Sequence, residues 1–272
     1  MNNPATADSQ IAAKHRVMWA SGDYPTLAAE IVSPLGPILV DAAQIGPDDR
    51  VLDVAAGTGN AAIPAALTGA RVVASDLCPE LLEHGSRLAT ERGVTLEWRE
   101  ADAHELPFGD AEFDVVMSCI GVMFAPFHQR AADELTRVCK PGGTIALLSW
   151  TPEGQIGELF ATMKPYVAVP PPGAQPPPLW GNEDHVRALL GNRVADVATE
   201  RRTLTVDRFS DGAAFRDYFS SMYGPTIAAY RNIEDDPDRI AELDAALTRL
   251  GDRFLQSGAM EWEYLLLTAR RA

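Results

Sequence analysis

The stretch Val51-Leu52-Asp53-Val54-Ala55-Ala56-Gly57-Thr58-Gly59-Asn60 decides the fold, because it joins a short apolar strand to a glycine-paired turn and then to a helix. Gly57 and Gly59 lack a Cβ, so the chain can bend sharply there and bring its backbone amides close to a ligand. Together with Ala62 they also fit the G-x-G-x-x-G/A pattern of dinucleotide-binding turns. The turn alone therefore leaves more than one nucleotide-like ligand open.

An acidic residue inside the strand distinguishes between the candidate ligands of the turn. Asp53 lies four residues before Gly57. A carboxylate there would repel the pyrophosphate of a nicotinamide dinucleotide. The same carboxylate would attract S-adenosylmethionine, which has an ammonium group and a sulfonium and no phosphate. Asp53 therefore favours S-adenosylmethionine as the cofactor.

Two further predicted strands end in acids. Residues 71–76 form an apolar strand that ends in Asp76, and a carboxylate at that position can accept both ribose hydroxyls of an adenosine. Residues 95–103 contain a third strand, followed by Asp102 and Ala103. We expect Asp102 to accept the adenine amino group and Ala103 to leave room beside the ring.

The order of the predicted elements indicates a parallel sheet covered by helices on both faces. Two or three helices, from Ser9 to Ala20 and from Tyr24 to Gln44 with a break at Ser33-Pro34, precede the sheet. The predicted strands lie near residues 50–54, 71–75, 94–98, 113–118 and 143–150. The helices between them lie near residues 60–68, 79–92 and 128–139. After Trp150 the pattern predicts a proline-rich loop, a helix at 182–190, a strand at 197–207, helices at 215–231 and 239–256, and a last strand at 261–268.

These segments resemble the class I S-adenosylmethionine-dependent methyltransferases, and within them the ubiquinone/menaquinone C-methyltransferases and related small-molecule enzymes. The resemblance covers about residues 45 to 150 and is carried by residues 51–59, by Ala101-Asp102-Ala103-His104-Glu105-Leu106-Pro107-Phe108 and by Lys140-Pro141-Gly142-Gly143. It implies a doubly wound, seven-stranded, mostly parallel α/β sheet whose last strand is antiparallel. It also implies a helical cap, in which two helices between strands six and seven form a lid.

The resemblance extends the candidate cofactor site, because it implies that Thr58 and Cys119 line it together with Asp76, Asp102 and Ala103. The chain departs from the family at Ala55, where a first glycine is commonest, and at Cys119, where quinone-methylating enzymes often carry serine. Both replacements are small and compatible with the cofactor. The complete predicted cofactor site comprises Trp19, Tyr24, Asp53, Ala55, Gly57, Thr58, Gly59, Asp76, Leu77, Asp102, Ala103 and Cys119.

The chain is predicted to be one α/β methyltransferase domain over residues 1–272. Within it we expect an N-terminal helical lid at 1–44 and a cofactor-binding core at 45–150. Residues 151–257 would form cap insertions around the sixth strand, and residues 258–272 the last strand.

Three side chains outside the glycine turn are candidates for roles in the reaction. Trp19 and Tyr24 flank Gly22 before the sheet, where they either form a lid over the methionine end, with cation–π contact to the sulfonium, or pack a helix onto the core. His128 begins the helix after the fourth strand, close to where the methyl group should point. We predict it as a general base, the alternative being a solvent-facing histidine at a helix end.

Composition bounds the partners and the location. The net charge of −15 disfavours nucleic-acid binding, which depends on Lys and Arg at phosphates. Cys78, Cys119 and Cys139 are too few and too scattered for a disulfide framework or a four-ligand zinc site, so no metal is predicted. No basic and then apolar leader and no 18-residue apolar stretch occurs. We expect a soluble, cytoplasmic protein without a membrane anchor, as a monomer or homodimer.

The predicted function is methyl transfer from S-adenosylmethionine, releasing S-adenosylhomocysteine, to an O, N or C nucleophile of an apolar or aromatic small molecule. An apolar acceptor would suit the aromatic residues of the helix near 218–230, together with Met123, Phe124 and Trp180. Two alternatives stay open: a nicotinamide-dependent oxidoreductase, and a protein that binds S-adenosylmethionine without catalysis.

Overall fold

The computed structural model describes residues 4–272. Its centre is a seven-stranded sheet in the order β3-β2-β1-β4-β5-β7-β6. The strands are β1 (Arg50–Val54), β2 (Arg71–Asp76), β3 (Glu97–Glu100), β4 (Phe113–Cys119), β5 (Cys139–Trp150), β6 (Val194–Val206) and β7 (Met260–Arg271). β1 to β5 pair in parallel, and β7 pairs antiparallel with both β5 and β6. The predicted fold class, including the antiparallel last strand, is confirmed.

The core follows from the central parallel strands β1, β4 and β5, which are largely apolar because helices cover both faces of the sheet. Leu52 of β1 is in register with Val116 of β4, which is in register with Ile145 of β5. All three side chains are fully buried. The register brings the carboxyl ends of β1, β2 and β4 to one edge, where open α/β sheets bind their ligands.

Helices lie before, between and after the strands. Those before and between them are α1 (Pro4–Trp19), α2 (Tyr24–Leu27), α3 (Leu35–Ala42), α4 (Ala62–Leu67), α5 (Pro79–Glu91) and α6 (His128–Val138). The cap contains α7 (Gln155–Met163), α8 (Glu183–Leu190), α9 (Gly212–Met222), α10 (Gly224–Asn232) and α11 (Pro237–Phe254). Of the helices in this described range, none combines the length and apolarity needed to cross a membrane.

Two predicted elements before the fourth strand are corrected. The helix expected from Tyr24 contains a π-helical segment, Ala28–Val32, between α2 and α3. Within it, the carbonyl of Val32 accepts a hydrogen bond from the Asn60 side chain at 3.0 Å. β3 begins three residues later than predicted, because the Val94 amide donates to the Ala89 carbonyl and so belongs to the end of α5.

The helix predicted at 215–231 is two helices, so the cap has three helices between β6 and β7 and not two. Pro225 lies in the first turn of α10, and proline cannot continue the preceding helix. Gly224 permits close packing, since a Cβ there would lie 2.2 Å from the Met18 carbonyl oxygen of α1. The break thus holds the N-terminal helix against the cap.

Candidate active site

A cleft lies at the sheet edge formed by the carboxyl ends of β1, β2 and β4. It encloses about 840 Å³, counting the part open to solvent, which is within the range of small-molecule sites. The structure brings together around it most of the predicted cofactor residues, namely Trp19, Tyr24, Ala55, Gly57, Asp76, Leu77, Asp102 and Ala103.

The glycine turn is fixed by the acid at the end of β2. Asp76 accepts the Gly57 amide on Oδ2 at 2.8 Å and the Cys78 amide on Oδ1 at 2.8 Å. Burial raises the pKa of Asp76, while these amides oppose the shift. The Gly57 amide, which would donate to a pyrophosphate in a dinucleotide site, therefore meets a carboxylate.

Glycine is required at positions 57 and 59 for different reasons. Gly57 lines the cleft and has a φ of +55°. Gly59 has a φ of +84°, and a Cβ there would lie 2.7 Å from the Trp98 ring, so it is required for packing and does not line the cleft. Ala55 also has a positive φ of 55°, which explains why glycine suits this position in the family.

Asp53 lies behind the turn, 1 % exposed, and does not line the cleft. Neither of its carboxyl oxygens makes a hydrogen bond of normal distance and angle within the described part of the chain, although the Ala62 amide lies near them. Burial raises its pKa to about 8, the Ala62 amide opposes the shift, and Asp76 adds to it. Asp53 also lies close enough to Tyr24 to raise the pKa of that hydroxyl, although burial is the larger cause. A cationic group bound nearby would remove the cost of ionising Asp53.

We expect the stability of the free protein to depend on the ionisation of Asp53. The folded carboxyl keeps its proton up to about pH 8, whereas its ordinary pKa is 3.8. Between these pH values the folded state therefore binds more protons than the unfolded state. The contribution of Asp53 to the free energy of unfolding is fully present below about pH 4 and is lost as the pH rises to 8. Raising the pH from 5 to 8 should lower the Tm of the wild type by several degrees more than the Tm of Asp53→Asn. Thermal unfolding of both proteins across this pH range measures the difference. Parallel Tm curves for the two proteins would contradict this.

The loop after β3 holds Asp102 through His104. Oδ1 of Asp102 accepts the His104 amide at 2.9 Å and lies 2.7 Å from His104 Nδ1. Burial works to raise the pKa of Asp102, but these interactions outweigh it, so the carboxyl titrates below its ordinary range. His104 Nε2 accepts the Phe127 amide at 3.2 Å, which places the ring proton on Nδ1. His104 thus connects the predicted adenine carboxylate to Phe127, which also lines the cleft.

The sequence pattern did not indicate every residue that lines the cleft. Ile11, Ala12 and His15 lie on the same face of α1 as the predicted Trp19, and this spacing could have identified them. Others come from loops whose position depends on tertiary packing. The lining residues outside the predicted cofactor site are Ile11, Ala12, His15, Leu81, Ala101, His104, Ile120, Gly121, Phe124, Ala125, Pro126, Phe127 and Arg130, of which Phe124 is predicted beside the acceptor.

Thr58 and Cys119, like Asp53 and Gly59, lie outside the cleft lining. Thr58 is buried, and Cys119 ends β4, where its Sγ accepts the Asn60 amide group at 3.7 Å. They lie next to residues that line the cleft, Gly57 and Ile120. The structure therefore places them behind its wall.

His128 is not brought to the cleft. It is fully buried, its Nδ1 lies 3.0 Å from His185 Nε2, and its ring packs against Trp180. Burial, with His185, lowers its pKa to about 3. This position gives the predicted general base no support, and the role stays a prediction. Among the side chains that the structure describes, those of residues 9–272, no group of three or more His, Cys, Asp or Glu could hold a metal ion.

An aromatic cluster shares Trp19, Tyr24 and Phe124 with the lining of the cleft. It comprises Trp19, Tyr24, Phe124, Phe160 and Tyr223. The Trp19 ring centroid lies 5.4 Å from Tyr24, 4.7 Å from Phe124 and 5.8 Å from Tyr223. Phe160 lies 5.9 Å from Phe124 and 6.4 Å from Tyr223. Trp19 and Tyr24 therefore both line the cleft and pack the N-terminal segment against the core and the cap.

Comparison with known proteins agrees with this geometry. A family model described as a methyltransferase domain matches residues 52–147. An uncharacterized protein of Mycobacterium tuberculosis (strain ATCC 25618 / H37Rv) is 54% identical over 271 residues, which is 100% of this chain and 99% of that protein. The demethylmenaquinone methyltransferase of Clavibacter sepedonicus is 42% identical over 104 residues, 38% of this chain and 42% of that enzyme.

A solved structure shares the fold. The geranyl diphosphate C-methyltransferase of Streptomyces coelicolor A3(2), crystallised with Mg²⁺, geranyl-S-thiolodiphosphate and S-adenosyl-L-homocysteine, superposes with a TM-score of 0.52 at 18% identity. The superposition covers 88% of this chain and 76% of that one. The sheet order, the cleft at its carboxyl edge and the matched domain lead to one conclusion: the chain belongs to the class I S-adenosylmethionine-dependent methyltransferases.

Proposed function

We propose that the chain transfers a methyl group from S-adenosylmethionine to an O, N or C nucleophile of an apolar or aromatic small molecule. The observation that carries this proposal is the hydrogen bond of the Gly57 amide to Asp76, at 2.8 Å. A diphosphate at the turn would face that carboxylate, whereas the ribose of an adenosine offers it hydroxyl donors. This observation weighs against the nicotinamide-dependent alternative.

The residues around the cleft suit S-adenosylmethionine. Asp76 would accept ribose hydroxyls, and Asp102 would accept the adenine amino group beside Ala103 and Leu77. Asp53 fits the cationic end, because it is a buried carboxyl behind the turn that makes no hydrogen bond of normal geometry in the described chain and that a nearby cation would help to ionise. When bound, the cofactor supplies a methyl carbon that its sulfonium makes electrophilic.

The protein then contributes mainly position and exclusion of water. Orienting two reactants can lower a barrier by roughly 7–11 kcal/mol, whereas general acid–base assistance typically gives about 10²–10⁴-fold in rate. Trp19 and Tyr24 would cover the methionine end, and their ring faces are suitable neighbours for a sulfonium. The apolar rim at Phe124 and Phe127 would keep water from the acceptor.

Further predictions about partners, location, oligomeric state and domain division accompany this function. One relative and one structural neighbour described above are named for methylation of demethylmenaquinone and geranyl diphosphate, which supports a small-molecule acceptor. The net charge of −15 disfavours a nucleic-acid partner, and the lack of a membrane partner stays a prediction. A cytoplasmic location and a monomeric or homodimeric state are part of the same proposal, as is the division into lid, core and cap.

We expect calorimetry to detect binding of S-adenosylhomocysteine and none of NAD. The amino-acid end of the ligand should lower the pKa of Asp53 from about 8, so binding at pH 7 should release up to about one proton. Titrations in buffers of different ionisation enthalpy measure this release, and Asp53→Asn should abolish it. Tight binding of NAD would overturn the proposal. Equal proton release in both proteins would remove Asp53 from the cationic end.

The alternative of a binding protein without catalysis needs a separate test. Metabolite extracts incubated with methyl-labelled S-adenosylmethionine should yield a labelled small molecule with the wild type and none with Asp76→Ala. Binding of S-adenosylhomocysteine with no labelled product in any extract would favour the non-catalytic alternative.

A further inference from the structure

His15 is a histidine of the cleft that the proposed function does not use. It lies on α1, four residues before Trp19, and both residues line the cleft from the same face of the helix. His15 is half-buried, whereas Lys14 and Val17 on the other side of the helix are exposed. α1 therefore turns His15 towards the cleft and not towards solvent.

Arg16 shows which part of the cleft His15 covers. Its Nη2 lies 3.4 Å from Glu80 Oε1, in the first turn of α5, and its Nη1 lies 3.3 Å from Glu100 Oε1, at the end of β3. Glu80 follows the end of β2 by four residues, and Glu100 precedes Asp102 by two. At His15 and Arg16, α1 therefore lies over the carboxyl ends of β2 and β3, which carry the two acids proposed to bind adenosine.

Trp19 lies at the other end of the part of α1 that lines the cleft. Its ring packs against Phe124, at 4.7 Å between centroids, and against Tyr223 of the cap, at 5.8 Å. Phe124 follows β4, which lies on the other side of β1 from β2 and β3. α1 thus crosses the carboxyl edge of the sheet, with His15 on the adenosine side and Trp19 on the side proposed for the methionine end.

The charges around His15 agree with this placement. Burial lowers the pKa of His15, His104 adds to the fall, and Asp102 opposes it. His15 therefore lies within electrostatic reach of the loop that holds the predicted adenine carboxylate, and its ring is mainly neutral at pH 7. A neutral ring can pack against a purine without the cost of burying a charge.

We propose that the ring of His15 packs against the adenine of S-adenosylmethionine, so that α1 covers the base with His15 and the sulfonium with Trp19. The inference rests on the proposed function, because it adds a contact to the same cofactor. Histidine is among the aromatic side chains on which bases stack in proteins. His15 is a binding residue in this account and takes no part in proton transfer.

The test compares S-adenosylhomocysteine with adenosine, which lacks the amino-acid end, by calorimetric titration. His15→Ala should weaken the binding of both ligands by about tenfold, because both lose the same contact with the base. His15→Phe keeps an aromatic ring and should bind both ligands within about threefold of the wild type. The Tm of free His15→Ala should stay within about 2 °C of the wild type, because a half-buried ring contributes little to the stability of the free protein.

Val17→Ala is the matched control on the same helix. Val17 is 65 % exposed, so its replacement should change neither affinity. The inference is overturned if His15→Ala binds both ligands like the wild type, or if it loses affinity for S-adenosylhomocysteine alone, which would place His15 at the amino-acid end. It is also overturned if His15→Phe loses as much affinity as His15→Ala, or if adenosine fails to bind a wild type that binds S-adenosylhomocysteine. Failure of S-adenosylhomocysteine to bind the wild type would instead overturn the proposed function.

Discussion

Asp76→Ala should weaken the binding of S-adenosylhomocysteine by about 100-fold or more. Asp76 is expected to accept two ribose hydroxyls, and hydrogen bonds to a charged group contribute roughly 1.5–3 kcal/mol each. The substitution also removes the acceptor for the Gly57 and Cys78 amides, so the turn itself loses order. Calorimetric titration measures the affinity, and circular dichroism checks that the variant is folded.

Two further variants sharpen this result. Asp76→Asn keeps one acceptor oxygen and should lose less affinity than Asp76→Ala. Asp238→Ala removes an exposed acid in the first turn of α11 and should bind like the wild type. A folded Asp76→Ala variant with wild-type affinity would exclude Asp76 from the cofactor site.

Gly36→Ala should strongly destabilise the protein through the glycine turn. A Cβ at Gly36 of α3 would lie 1.8 Å from the Asn60 carbonyl oxygen. Both groups are backbone, so neither can move aside without shifting the helix or the turn. Overpacking typically costs about 1–3 kcal/mol, and we expect the upper end, a fall in Tm of about 6–12 °C. Affinity for S-adenosylhomocysteine should fall at least tenfold.

Gly46→Ala is the control for this substitution. A Cβ at Gly46 would have its nearest neighbour, Asp49 Oδ2, at 3.9 Å. Its Tm should stay within about 2 °C of the wild type, and its cofactor affinity should not change. If differential scanning calorimetry finds similar Tm values for the two alanine variants, α3 does not support the turn as described.

The parts of the site that the sequence predicted are those set by strand ends. Asp76 and Gly57 line the cleft as expected, because a parallel sheet brings the ends of β1 and β2 to one edge. Local composition specifies both the strands and the turn between β1 and α4. Pattern reasoning therefore works where one residue's neighbours along the chain determine its environment.

The features of the site that the sequence could not predict depend on contacts between distant segments of the chain. His104 joins the Asp102 loop to Phe127, and no spacing rule indicates that bond. His128 was placed near the reaction by its position after β4, yet α8 and Trp180 cover it. Helix position along a chain does not reveal which neighbour covers a side chain.

The most direct test of the account is a crystal grown with equimolar S-adenosylhomocysteine and NADH. We predict S-adenosylhomocysteine in the cleft, with both ribose hydroxyls within hydrogen-bonding distance of Asp76 and its ammonium group on the side of Asp53. Density for a diphosphate against the Gly57 amide, or a nucleoside that does not contact Asp76, would contradict the central claim that carboxylates at the strand ends hold this cofactor.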